Sequence, residues 1–170
     1  MEKLHFVNGA VVFALLLISP CCTSRSRAIN DDVKVSKEIV MKQFELWKSG
    51  KGNFFDLLAE DVTWEVSGRS PVSGIYKSKK DFLDRAVNPI TRQLKTRIIP
   101  VLISLSSDVR FVWLHFKGKA TARNGGAYEN TYVWKMRLKE GKIIRATAFL
   151  DTYELMRLMN PEDKVMSKTI

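Results

Sequence analysis

A chain of 170 residues has room for one domain with its own core and too little for two. A hydrophobic fraction of 45% beside 27% charged residues excludes both a disordered chain and a polytopic membrane protein. The net charge of +10 is scattered from Lys34 to Lys168 without a long basic run, so it reads as a soluble basic surface, and no specific nucleic-acid binding is expected.

The chain opens with MEKLH, an apolar stretch FVNGAVVFALLLI, and the small residues of SPCCTS. That is the layout of a secretory signal over residues 1–24, and the apolar stretch is short for a membrane span, which needs about 20 residues. The expectation is export to a periplasmic or extracellular space. Membrane attachment would require the segment to stay uncleaved or Cys21 to carry a lipid. Cys21 and Cys22 are the only cysteines, and His115 is the only histidine after the leader. No disulfide and no zinc site of the usual kind is therefore expected in the domain.

Residues 25–32 are polar and read as a flexible lead-in to a domain over 33–159, with a loose tail at 160–170. Val33, Val40, Phe44 and Trp47 recur at near helical spacing, and the glycines of KSGKG stop that helix. NFFDLLAED reads as a short second helix, with Asn53 as its cap and Asp56 returning the bond three residues later. VTWEV is a short strand and SGRSPVSG a loop. A third helix follows, with Ser78 capping, Asp81 in the capping-box position, and Phe82, Leu83, Ala86 and Val87 on one side.

After Asn88 the period changes to that of strands. Residues 93–106 form one, in which Pro100 implies an edge or a bulge. Residues 109–122 form the next, with Val112, Leu114, Phe116, Gly118, Ala120 and Ala122 on one face. RNGGA is a hairpin turn. In 128–138, Tyr128, Asn130, Tyr132, Trp134 and Met136 alternate with polar residues, which makes a half-buried strand with an aromatic face. KEGK turns again, and 142–150 is the last strand, with Ile144, Ala146, Ala148 and Leu150 as its apolar face. Sequential hairpins preceded by helices imply an α+β fold in which the helices lie on one face of a mainly antiparallel sheet.

AEDVTWEV, SGIYKSKKDFL, GGAYENTYVWKMRLKEGKI and FLDTYEL, in that order, resemble the SnoaL-like branch of the nuclear transport factor 2-like superfamily, over residues 35–159. The resemblance implies a cone-shaped roll, a curved sheet wrapped around N-terminal helices, with an apolar pocket opening at one end. It also implies a homodimer, and an outer sheet face bearing Phe111, Trp113 and His115 fits one.

Within that superfamily the chemistry varies. Limonene epoxide hydrolases use two Asp and an Arg, but no acid occurs between Asp108 and Glu129. Ketosteroid isomerases carry their basic Asp just after the first strand, where this chain has Glu65 and Val66. Asp151 matches the acidic residue that polyketide cyclases of this type use as acid and base at the end of the last strand. Burial in an apolar pocket disfavours a carboxylate's charge, which suits it to exchange a proton near neutral pH without a cofactor. The other role open to Asp151 is to cap the helix TYELMRL by accepting from the backbone of Tyr153 or Glu154. Trp64, Tyr76, Tyr128, Asn130, Tyr132 and Trp134 are the candidate pocket residues, with core packing as the alternative for the aromatic ones. Two readings result: a domain that binds and transforms a small hydrophobic carbonyl compound, or a non-catalytic binding or interaction module with the same fold.

Overall fold

The structure, a computed structural model, describes residues 21–160. The leader expected over 1–24 and the tail expected over 160–170 lie almost wholly outside the described residues.

Helix α1 spans Cys21–Lys48 and takes in residues 25–32. Val40 and Phe44 are fully buried on its inner face and Trp47 half-buried, an i, i+4, i+7 stripe. Its end is a Schellman motif: Lys51 N–H donates to Leu46 O at 2.9 Å, and Gly50 N–H donates to Trp47 O at 3.0 Å. Gly50 has φ 75, the left-handed conformation this cap requires and a side chain resists. Among the described residues no helix is long and apolar enough to cross a membrane.

Asn53 caps the next turn as expected, its Oδ1 accepting from Phe55 N–H while the Asp56 carboxylate accepts from Asn53 N–H. The turn is a single 3-10 helix, Phe54–Leu57, and strand β1, Leu58–Val66, starts where a longer helix was expected. Tertiary pairing decides this: β1 runs parallel to the last strand and buries Leu58, Val62 and Trp64. Strand β2, Gly74–Tyr76, pairs antiparallel with β1. Ser78 then caps α2, Lys79–Phe82, by accepting from Asp81 N–H at 3.0 Å. The helix continues through a π-turn, Leu83–Val87, into α3, Asn88–Arg92, beyond the expected end at Val87. Pro89 has no N–H to donate and its ring crowds the preceding turn, so the wider turn sits where a regular α-helix would clash.

Strands β3, Ile99–Ser107, β4, Val112–Thr121, β5, Ala127–Lys139, and β6, Lys142–Leu150, form an antiparallel meander. The six strands lie in the order β2-β1-β6-β5-β4-β3 as a curved, open sheet. β3 is an edge strand with a register shift between Leu102 and Ser104, in keeping with Pro100. Glu140 and Gly141, with φ 51 and 75, close the β5–β6 hairpin, two successive positive values of the kind a tight primed turn requires. A register shift between Arg137 and Leu138 places Ile143, not Ile144, in the core, which corrects the inner face expected for β6. Helix α4, Thr152–Met159, follows β6 and buries Leu155 and Leu158.

Candidate functional site

Val112, Leu114, Phe116, Tyr128, Asn130, Tyr132, Trp134 and Met136 all turn to the concave side of the sheet and are buried there, as alternation on β4 and β5 requires. Rings from α1 and the 3-10 turn meet them. Trp134 lies 5.0 Å from Phe54, 4.8 Å from Phe116 and 6.0 Å from Trp47, nearly parallel to the last, while Phe116 stacks on Tyr132 at 4.8 Å. Trp64 stacks on Phe82 at 4.5 Å.

These rings do not fill the cone. They enclose a cavity of about 500 Å³, in the range that takes a small organic molecule. Its inner wall is formed by Trp64, Val66, Val72, Phe82, Phe116, Tyr132, Trp134, Ala148 and Leu155, all buried. The lining residues that are also exposed are Gly50, Asn53, Thr91, Lys95, Thr96 and Arg97. The opening therefore lies between the end of α1 and the segment that joins α3 to β3. Arg97 is fixed there by two bonds to the last carbonyls of α1, donating to Trp47 O at 3.1 Å and Lys48 O at 2.9 Å. Gly118 lets the lining residues Ile98 and Tyr132 pack against β4, since a Cβ on it would come within 2.8 Å of Ile98 Cγ2 and 3.0 Å of Tyr132 Cε2. Among the lining residues there is no carboxylate and no imidazole.

Of the expected pocket residues, Trp64, Tyr132 and Trp134 line this cavity, and Tyr76, Tyr128 and Asn130 do not. Tyr76 is buried and donates its hydroxyl to Val72 O at 2.7 Å, which ties the loop before β2 to the sheet. Tyr128 and Tyr132 share a hydroxyl–hydroxyl bond of 2.8 Å, and Asn130 Nδ2 donates to Tyr128 Oη at 3.1 Å. Burial pushes both tyrosine hydroxyls above their ordinary range, Tyr132 well above it, so both stay protonated and serve as hydrogen-bonding groups.

Asp151 is exposed and outside the lining. One carboxylate oxygen accepts from Tyr153 N–H at 3.0 Å and Glu154 N–H at 3.2 Å, capping α4. Its backbone is gripped from β5: Asp151 N–H donates to Asn130 Oδ1, and Asn130 Nδ2 donates to Asp151 O, both at 2.9 Å. A charge at the end of an apolar strand is thereby accounted for by the helix that starts there.

Sequence reasoning missed Trp47, Phe55, Phe82 and Phe116 as cavity walls, and Lys95 and Arg97 at the mouth. The first four read as helix or strand core, which they also are. Nothing local marks Lys95 and Arg97, because their role arises only when their segment folds beside the end of α1.

No protein-family model matches the chain, and no curated protein matches it. Solved structures do. Bal32a, from a soil-derived mobile gene cassette, superposes with a TM-score of 0.63 at 18% identity, covering 75% of this chain and 98% of its own. An NTF2-like protein from Burkholderia thailandensis gives a TM-score of 0.61 at 18% identity, covering 73% of this chain and 96% of its own. TerC, co-crystallised with polyporic acid, gives 0.58 at 14% identity, covering 74% of this chain and 98% of its own. The chain has the NTF2-like α+β cone fold.

Proposed function

We propose that this protein binds a small hydrophobic molecule in the cone cavity and holds it without acid–base chemistry. One observation carries the reading: the cavity of about 500 Å³ is walled by aromatic and aliphatic side chains and contains neither a carboxylate nor an imidazole. Enolisation or aldol-type closure needs a base within hydrogen-bond reach of the proton it removes. The expected base, Asp151, sits outside the lining with its carboxylate engaged at the start of α4. That TerC was crystallised with polyporic acid supports a cone of this kind accepting an organic ligand.

The test is fluorescence titration with N-phenylnaphthylamine, which brightens on entering an apolar site. Saturable binding at one site per chain is expected, and no saturable signal would overturn the reading. Asp151→Asn separates the two roles of that residue, because Asn caps a helix as well as Asp does. Binding and thermal stability should both be unchanged in it. A folded Asp151→Asn variant that loses turnover of a carbonyl compound turned over by the parent chain would restore the catalytic reading.

Self-association through the outer sheet face belongs to the same proposal. Ile99, Val101 and Phe149 are each close to half exposed on that side, the side that also carries Phe111 and Trp113. Light scattering should give twice the chain mass, and a monomer at micromolar concentration would remove the dimer.

A further inference from the structure

Resting on the binding reading above, we infer that the molecule held in the cavity carries an anionic group, such as a carboxylate, on an apolar body, and that Lys95 is the residue that reads it.

Polarity is divided along the cavity. The polar groups of its buried end are the Tyr132 hydroxyl, already paired with Tyr128, and indole N–H donors, of which Trp64 Nε1 is buried without a partner among the described residues; none carries a charge. Its exposed end holds the only two formal charges of the lining, Lys95 and Arg97, and both are positive. A neutral hydrophobic ligand would leave these two cations facing each other's field with nothing to gain from them, whereas an amphipathic acid places its apolar body among the rings and its charge at the mouth. Among the described residues Lys95 has no acidic partner, a state it shares with most of the described cations, so what sets it apart is its place in the cavity lining. Arg97 cannot swing away, because its guanidinium is held by the α1 carbonyls. It supplies a fixed positive field, while Lys95, on a flexible stem, is able to close on the ligand's charge. An ion pair at a half-enclosed mouth beside low-dielectric walls is worth more than one on an open surface.

Two probes of matched body test this: naphthoate and the corresponding naphthylmethanol, each used to displace N-phenylnaphthylamine from the full chain. Naphthoate should displace at a concentration about tenfold below the alcohol at low salt, a preference that shrinks as salt rises. The ratio of acid to alcohol affinity should fall by about tenfold in Lys95→Met, which keeps the apolar stem, and Lys95→Glu should reverse the preference. Because the residue is exposed, both variants are expected to fold, and circular dichroism checks that they do. Equal displacement by the two probes, or an acid preference that survives Lys95→Met, overturns the inference and leaves the binding reading standing. If the reporter itself does not bind, both fall together.

Discussion

Trp134→Ala should both destabilise the protein by about 3 to 5 kcal/mol and abolish measurable binding of N-phenylnaphthylamine. The indole is buried on β5 and lies within 6.2 Å, centroid to centroid, of Trp47, Phe54, Phe55, Trp64, Phe116 and Tyr132. Its removal takes away the hub of the aromatic cluster and the wall of the cavity at once. Enlarging an existing cavity also leaves neighbouring rings without contacts that solvent cannot replace. Trp134→Phe should recover most of the stability and part of the binding, since a ring still meets Phe116 and Phe54. Urea unfolding of the three proteins, with titration of each folded variant, checks this. A folded Trp134→Ala chain with unchanged affinity would remove Trp134 from the site.

Asn130→Asp should be more damaging at neutral pH than at mildly acidic pH. Asn130 is buried, and its Nδ2 donates to Asp151 O and Tyr128 Oη while its Oδ1 accepts from Asp151 N–H. A carboxylate keeps the acceptor and loses both donated bonds, setting a negative oxygen against the Asp151 carbonyl. Losing donors from a buried network of this kind costs about 1 to 3 kcal/mol for each group left unpaired. Burial and the facing carbonyl both disfavour the charged form, so the introduced acid has a higher pKa folded than unfolded. The sign follows from linkage: a group of that kind contributes stability that is present below its unfolded pKa and lost as pH rises through the folded one. Protonated, it regains a donor for Asp151 O. Urea midpoints for Asn130→Asp, compared with the parent chain at both pH values, are the measurement, and a difference that does not change with pH would place the side chain in water. Asn130→Ala, which has nothing to titrate, should show a loss independent of pH.

Asn130 also shows how far local reading reaches. Its burial follows from alternation along β5, but its partner lies twenty-one residues away, and only the pairing of β5 with β6 brings Asp151 to it. The cap at Asp151 was one of two roles legible in FLDTYEL; the carboxylate makes that cap and lies outside the cavity lining. Trp64, Tyr132 and Trp134 line the cavity, a placement that follows from the face they share with the cone interior. Tyr76, Tyr128 and Asn130 share that face too, yet they close the structure at its ends instead of lining its hollow.

The sequence by itself determined the α+β class, the helix caps at Asn53 and Ser78, the glycine stop at Gly50, the hairpins, and the inner faces of β4 and β5. Each of these is settled by φ/ψ preference, by a hydrogen bond within a few residues, or by a period of two or 3.6. Tertiary structure alone decided that β1 begins at Leu58, that a shift near Arg137 turns Ile143 inward, and that Lys95 and Arg97 stand at the mouth of the cavity. Those outcomes depend on strand pairing and on segments far apart in the chain meeting in space. The free energy that selects them comes from burying the shared surface, and no short window of sequence contains both sides of it.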